Sequence, residues 1–399
     1  MSNPKEYQKR INKWILEAVK GSERPSDIEV QDFAALYASM RVQGVYGPVY
    51  DTLKNWDPPE DMFRFYEKDC RGVVAVNYRL WFETRDIVNL LNENDIICAV
   101  LKGPSTAMYY PVPELRKSGD IDIMVLESDM ERAIELAQKR GYTAPKLSYA
   151  PHEVGLTNSQ KGILLELHRG MADELSDPGV NEYLQSLCPA MVSAAVGMEI
   201  IDGMTLPVLR EDYHAFFLLI HMVNHFVRKG FGLKLLADWK YFFDEPFDAA
   251  LEDSLLDMIK TAKIQTFTSA VTMACVKYLG ADYEKMKFLC LEEISDETVD
   301  ELMNEVFDSG EFGQIDKSRM ILAEGSSFAD LFKAFHGEMK RQHPESSKYV
   351  VTWPFLWIST YVGFVRNNKK LGRNTNTAKV VESARKRSRF NESLKILKK

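Results

Sequence analysis

The stretch Asp120-Ile121-Asp122-Ile123-Met124-Val125 decides how this chain of 399 residues is interpreted. Its apolar and β-branched residues predict a strand. Successive side chains of a strand point to opposite faces, so Asp120 and Asp122 share one face, and Ile121 and Ile123 point into a core on the other. Two like charges this close repel each other, and a divalent cation between them makes the pair tolerable. The pair is therefore a candidate metal site, although the same pattern on an exposed strand is ordinarily a solvated face.

A second strand is predicted upstream, over residues 96–101, and it ends at Lys102-Gly103-Pro104-Ser105. A short helix can follow over residues 105–110. Gly103 would let the backbone approach a phosphate closely, the start of the helix would offer free N–H donors, and Lys102 would add positive charge. Arg116, in the loop before Asp120, is placed to bind phosphate oxygens as a bidentate donor. The alternatives are an ordinary strand-to-helix turn and a surface arginine.

A third carboxylate is predicted downstream, in the strand Leu164-Leu165-Glu166-Leu167-His168. This strand forms the second half of a hairpin whose segments are residues 153–157 and 162–168. Glu166 and His168 share one face, and a carboxylate from a neighbouring strand is what a site for two cations requires. For His168 the first interpretation is a structural hydrogen bond beside Glu166, and the second is a general base.

The chain divides into four regions by its periodicity and charge. Residues 1–95 have helical spacing of apolar positions, residues 96–210 form a small α+β unit, residues 211–365 are again helical, and residues 366–399 form a basic tail. The predicted fold class is therefore α+β, a mixed sheet with helices, flanked by helical regions at both ends. His221 and His225 lie one turn apart on a predicted helix, which is the spacing of a metal-binding pair. We expect them instead to pack against other helices or line a groove, since there is no H-E-x-x-H motif and no nearby thiolate completes a zinc set.

These motifs together resemble the uncharacterised nucleotidyltransferase family of the polymerase-β-type superfamily. The resemblance covers residues 96–240 and rests on LKG at 101–103, the Tyr109-Tyr110 pair, Arg116, DIDIMV and LELHRG. It implies a minimal nucleotidyltransferase sheet in which Gly103 and Ser105 line the phosphates. Asp120 and Asp122 would bind Mg²⁺, or Mn²⁺, with Glu166 as the third ligand. Pro104 separates the glycine and serine that the superfamily has side by side.

The resemblance also implies the reaction, which is transfer of a nucleoside monophosphate from an NTP such as ATP to an acceptor hydroxyl. The acceptor would be a small molecule, a sugar, a peptide or protein, or an RNA end. The predicted catalytic residues are Asp120, Asp122, Glu166 and His168, and the predicted nucleotide-binding residues are Lys102, Gly103, Ser105 and Arg116. A nucleotidyltransferase fold that binds a nucleotide or partner without turnover is the first alternative.

The charge distribution indicates which kinds of partner the protein can bind. The net charge is −8, but residues 366–399 carry twelve Lys or Arg against two Glu, so the rest of the chain carries −18. An acidic body argues against a protein whose whole surface binds nucleic acid, and weakly against a long nucleic acid as acceptor. Five scattered cysteines argue against a disulfide framework, and the polar N-terminal residues point to the cytoplasm. The oligomeric state is left open.

Residues 349–365, from Tyr349 to Val365, form an uncharged run of seventeen residues followed by basic ones. The run is shorter than the roughly 20 residues that a membrane span needs, and Pro354 interrupts it. A buried helix is the favoured prediction. An interfacial membrane contact is the alternative, in which the protein is a membrane-peripheral scaffold that uses this run and the basic tail.

Overall fold

The computed structural model describes residues 4–144, 152–175, 177–228, 230–311, 328–343, 346–370 and 389–396. The helices in these residues, numbered in chain order, are α1 Pro4–Lys20, α2 Phe33–Gln43, α3 Tyr50–Asn55, α4 Glu60–Asn92, α5 Pro104–Ala107, α6 Met130–Lys139, α7 Pro178–Ser193, α8 Glu211–Arg228, α9 Leu233–Phe242, α10 Ala249–Thr261, α11 Gln265–Ala274, α12 Tyr283–Met286, α13 Asp296–Ser309, α14 Phe328–Gln342 and α15 Trp353–Lys370.

One mixed sheet holds the strands of the described residues, which are β1 Cys98–Val100, β2 Asp120–Val125, β3 Glu153–Asn158, β4 Ile163–His168, β5 Val196–Ile201 and β6 Met204–Val208. Their order across the sheet is β3-β4-β2-β1-β6-β5. β2 runs parallel to β4 and β1 parallel to β6, and the other neighbours are antiparallel. The mixed sheet and its surrounding helices confirm the predicted α+β fold class.

The two faces of the sheet follow the alternation of β2. Ile121 and Ile123 are buried in a core that also contains residues of α4 and α6, as the sequence predicts. Met124 faces the other way, into a larger core formed mostly by helices. Asp120 and Asp122 precede Met124 by four and two residues, so their side chains point to the same face of the sheet as Met124. Their carboxylates therefore lie on the face that the helical body covers.

The N-terminal helices and the sheet share one long element. α4 has 33 residues, and its first half packs in the helical core through Tyr66 and Val73. Its second half packs against the sheet through Trp81 and Val88. The predicted division at residue 95 falls between α4 and β1, and the domain boundaries stay predictions. The helix expected over residues 249–279 is interrupted between α10 and α11, where Lys263 has a positive φ of 56°.

The apolar run at residues 349–365 does not form the buried helix predicted for it. Val351, Phe355 and Ile358 are 79%, 75% and 64% exposed. Trp353 and Trp357 pack against His336 of α14, so α15 is covered along one side. An uncharged sequence shows that a helix can be buried, but burial also requires neighbours on every apolar side. None of the helices in the described residues combines the length and apolarity needed to cross a bilayer.

Candidate functional site

The carboxylates of β2 and β4 meet because of the register between these two strands. Asp122 is the direct partner of Glu166 in the parallel pair, and Asp120 and His168 lie two residues away on either side. Ligand atoms of Asp122, Glu166 and His168 all lie within 4.8 Å of one another. The structure therefore brings three of the residues predicted for catalysis together, with Asp120 two residues away on the same face of the sheet, while their roles stay predictions.

Lys102 is part of this cluster. Its Nζ lies 2.9 Å from Oδ1 of Asp122, and both side chains are largely buried. Burial alone would lower the pKa of Lys102, but the charges of Asp122, Asp120 and Glu166 outweigh it and raise the pKa. The ammonium predicted to meet a phosphate thus sits among the carboxylates and neutralises part of their charge.

The three carboxylates of the cluster differ in their pKa values. Burial opposes ionisation of Asp122, yet Lys102 and His168 hold its pKa well below the usual range. The charge of Asp122 raises the pKa of Asp120. Burial and the charge of Asp122 raise the pKa of Glu166 to about 8. Two of the three carboxylates are therefore destabilised in their charged forms, and a cation would relieve them.

His168 lies closest to Asp122 rather than to Glu166, the neighbour favoured from the sequence. Its Nε2 is 3.1 Å from Oδ1 of Asp122 and 3.9 Å from Oε2 of Glu166. Strand alternation correctly predicts the face, but the choice between two carboxylates on that face depends on side-chain rotamers.

The turn after β1 requires glycine. Gly103 has φ 66° and ψ −114°, a backbone conformation that residues with a Cβ rarely adopt. Ser105 follows in α5, is fully buried, and donates its hydroxyl to the carbonyl of Lys102 at 3.2 Å. The predicted contacts of Gly103 and Ser105 with phosphates stay predictions, and the Ser105 hydroxyl already serves the turn.

Arg116 is held by a protein carboxylate, contrary to the free donor expected from the sequence. Its Nε and one terminal nitrogen donate to Asp238 of α9 at 2.7 and 2.8 Å, and the other donates to Ser118 at 3.2 Å. Tyr110 donates its hydroxyl to the same carboxylate at 2.6 Å. A buried guanidinium needs a counter-charge, and here Asp238 supplies it from a distant part of the chain. Arg116 therefore holds the loop before β2 against α9.

Four further residues lie around the cluster, and sequence reasoning missed three of them, Glu153, His152 and Lys234. Glu153 of β3 is the strand partner of His168, and its Oε2 lies 3.6 Å from Nε2 of His168. His152 precedes it and lies 3.2 Å from the same carboxylate. The His-Glu dipeptide at the start of a predicted strand was the available signal. Lys234 of α9 is far from the cluster along the chain, so no sequence pattern connects them. Its positive charge acts to lower the pKa of Asp120, against the larger effect of the Asp122 charge.

His221 of α8 is the fourth neighbour. Burial lowers its pKa, and the positive charge of Lys102 lowers it further. Its ring packs on Phe217 and His225 with centroids 6.0 and 4.4 Å away. The packing role expected for this histidine pair thus coincides with a position on the wall beside the carboxylates.

The donor set fits a hard divalent cation. Asp120, Asp122 and Glu166 offer carboxylate oxygens, which Mg²⁺ and Mn²⁺ prefer. Burial and the charge of Asp122 raise the pKa of Glu166, and the charge of Asp122 raises the pKa of Asp120, so a bound cation would stabilise both charged forms. A cation bound there would lie beside the Lys102 ammonium or displace it from Asp122.

Comparison with known proteins identifies the family of this chain. The model of a family described as "Uncharacterised nucleotidyltransferase" matches residues 29–280, a longer span than the resemblance seen in the motifs. Solved structures that are similar include an antigenic nucleotidyltransferase-like protein from Paracoccidioides brasiliensis, with 10% identity and a TM-score of 0.31 over 52% of this chain and 97% of that one. No curated protein sequence matches. Because the family match spans more than half of its residues, the chain belongs to the uncharacterised nucleotidyltransferase family.

Proposed function

We propose that this protein transfers a nucleoside monophosphate from an NTP to an acceptor hydroxyl, with Mg²⁺ or Mn²⁺ held by Asp120, Asp122 and Glu166. The observation that supports this most is the register that pairs Asp122 with Glu166 on adjacent parallel strands. It places three carboxylates on one sheet face in a chain whose family is described as a nucleotidyltransferase. Phosphoryl transfer needs positioning and charge neutralisation more than covalent chemistry, and this cluster is suited to both.

In the proposed reaction the acceptor oxygen forms a bond to the α-phosphorus as the bond to the bridging α–β oxygen breaks. Pyrophosphate leaves with that electron pair, and the acceptor proton passes to a carboxylate of the cluster. The bound cation supplies charge neutralisation at the phosphates and lowers the pKa of the attacking hydroxyl. Lys102 and Lys234 would add positive charge along the triphosphate, since both lie close enough to influence the Asp120 pKa.

The acceptor class we favour is a small molecule, sugar, peptide or protein. The body of the chain outside the basic tail carries −18, which disfavours a long polyanionic acceptor. ATP is the first donor to test, and the other three NTPs follow in parallel.

The experiment incubates the purified full chain with each α-labelled NTP, Mg²⁺ and host lysate, and it follows the label and pyrophosphate release. We expect a labelled product with the wild type and none with Asp120→Asn or with excess EDTA. Asp253→Asn is the matched control, because this aspartate of α10 is exposed and far from the cluster in sequence. A folded wild type that binds nucleotide but labels nothing and releases no pyrophosphate would favour the inactive, nucleotide-binding alternative.

A second candidate function is peripheral membrane binding, and the exposure of α15 favours it. Val351, Phe355 and Ile358 are exposed just before a tail with a charge of +10. Apolar side chains beside basic residues suit an anionic lipid surface. We expect Phe355→Glu to abolish co-sedimentation with phosphatidylserine vesicles, and Val30→Glu, a change at an equally exposed apolar residue elsewhere, to leave it unchanged. Equal sedimentation of all three proteins would reject this function.

A further inference from the structure

We propose that a second metal site, for a divalent transition-metal ion such as Zn²⁺, lies beside the carboxylate pair and is formed by His152, Glu153 and His168. Glu153 opens β3 and His168 closes β4, and these two residues face each other in the antiparallel pair. His152 directly precedes Glu153. The site does not rest on the proposed function, since neither His152 nor Glu153 takes part in it.

The donor atoms are spaced as ligands of one ion. Nε2 of His152 and Nε2 of His168 lie 3.2 and 3.6 Å from Oε2 of Glu153. The three donors all lie within 4.8 Å of one another. Metal–ligand bonds of 2.0–2.2 Å in a tetrahedral zinc site place donors about 3.3–3.6 Å apart. The two distances to Glu153 are close to that spacing, and the two imidazoles also lie within 4.8 Å of each other at their donor atoms.

An outer carboxylate orients the first ligand. Oδ1 of Asp173 lies 3.0 Å from Nδ1 of His152, the ring nitrogen opposite the one that faces Glu153. Asp173 is fixed in turn by Arg228 at 3.1 Å. Metal-binding histidines characteristically contact a carboxylate through the ring nitrogen that does not bind the ion. Asp173 is thus a positioning residue in this proposal.

His168 is held differently from His152. Its side chain is 4% exposed, and its Nδ1 is buried without a hydrogen-bond partner among the described residues. The ring is therefore held through Nε2, which also lies 3.1 Å from Oδ1 of Asp122. His168 therefore lies between Asp122 and Glu153, the carboxylate among the three proposed zinc ligands.

The ligand types distinguish this site from the neighbouring one. Imidazole nitrogen suits Zn²⁺, Ni²⁺ and related ions, whereas Mg²⁺ prefers oxygen donors alone. Two imidazoles and one carboxylate, both histidines largely buried, form a set that Zn²⁺ occupies with one position left open. We therefore expect the two sites to discriminate between Zn²⁺ and Mg²⁺.

The test is a metal titration of the full chain after EDTA treatment and dialysis, with Zn²⁺ followed by calorimetry and Co²⁺ by its visible absorption. We expect Glu153→Gln, a nearly isosteric change, to weaken Zn²⁺ binding by at least tenfold and to abolish the Co²⁺ absorption of a four-coordinate site. Asp173→Asn should weaken binding by about 10–100-fold while the Co²⁺ spectrum keeps its shape. Circular dichroism confirms that each variant is folded.

Asp120→Asn and His336→Ala are the controls. Asp120 belongs to the other site and His336 lies in α14, so both variants should bind Zn²⁺ within about twofold of the wild type. Unchanged Zn²⁺ affinity in Glu153→Gln would overturn the proposal, and so would binding that is lost in Asp120→Asn. The histidines would then form a hydrogen-bonded network with Glu153 and Asp173. Transfer activity is measured separately, so a failure of the proposed function would leave this result intact.

Discussion

Two buried charge clusters in this protein are built in opposite ways. In the first, the Arg116 guanidinium meets the Asp238 carboxylate through two hydrogen bonds, and both side chains are 3% exposed. Despite burial, the pKa of Asp238 is held below its usual value by Arg116. In the second, Asp120 and Glu166 have raised pKa values although Lys102 lies beside them. The first cluster is balanced in charge and the second is not.

The difference separates a structural role from a functional one. A balanced pair needs no further ligand, so it can fix the loop before β2 against α9. A cluster with surplus negative charge is destabilised until a cation arrives, and proteins keep such clusters mainly at functional sites. The two arrangements lie at the two ends of one short segment, residues 116–122, and the first positions the second.

The largest expected effect is loss of transfer in the unbalanced cluster. Asp120→Asn and Asp122→Asn should each lower the transfer rate by about 10⁴-fold, which corresponds to ~5 kcal/mol. In the metal-free protein the two variants should differ in their free energy of unfolding. Asp120→Asn relieves repulsion and should not lower the free energy of unfolding, whereas Asp122→Asn removes the nearest partner of buried Lys102 and should lower it by about 2 kcal/mol.

Urea unfolding in EDTA measures this difference. From the sequence alone, Asp122→Asn is a nearly isosteric change that should keep the fold, and the contacts of Asp122 with Lys102 and His168 change that expectation. Equal stability of the two variants would show that Lys102 does not depend on Asp122.

Substitutions in the balanced cluster should change the free energy of unfolding. Arg116→Met leaves the Asp238 carboxylate buried without its partner and should lower the free energy of unfolding by about 3–5 kcal/mol. Arg116→Met combined with Asp238→Leu removes both charges and should recover most of that loss. Denaturant unfolding of the four proteins in the cycle gives the coupling free energy. A double variant no more stable than Arg116→Met would contradict the pairing.

A smaller effect should appear in the pH dependence of the unbalanced cluster. The pKa of Glu166 is about 8 in the folded protein and 4.5 in a free side chain. Between these values the unfolded chain loses a proton that the folded one keeps, so Glu166 lowers stability as pH rises from about 4.5 to 8. Glu166→Gln should therefore stabilise the metal-free protein at pH 8 by at least about 1 kcal/mol relative to pH 5.

Thermal unfolding of wild type and Glu166→Gln at the two pH values checks this prediction. Saturating Mg²⁺ should remove the benefit of the substitution, because the cation takes over the role of the proton. A benefit of equal size at both pH values would show that Glu166 is ionised normally in the folded state.

The smallest effect should come from a charge pair at the surface. Arg64 pairs with Glu60 on α4, and the two side chains are 70% and 79% exposed. Arg64→Ala should change the free energy of unfolding by less than about 0.5 kcal/mol, and added salt should reduce even this change. A loss comparable to that of Arg116→Met would mean that burial does not determine how much a charge pair contributes to the stability of this protein.

Much of the site could be predicted because β2 and β4 obey a local rule. Alternation placed Asp120 with Asp122 and Glu166 with His168, and the apolar partners of β2 lie in a core as expected. The same reasoning missed Glu153 and Lys234, because no local pattern connects them with residue 122. It also predicted burial for α15, where the sequence shows apolarity but not which neighbours cover it.

The sequence by itself determined which side chains share a face, because the period of a strand is a property of the backbone and needs no partner. It also determined the turn at Gly103, whose backbone conformation disfavours a Cβ. Only the tertiary structure decided which charges meet. Arg116 finds Asp238 and Lys102 finds Asp122 through packing of separate elements, and electrostatic energy depends on distance in space rather than along the chain.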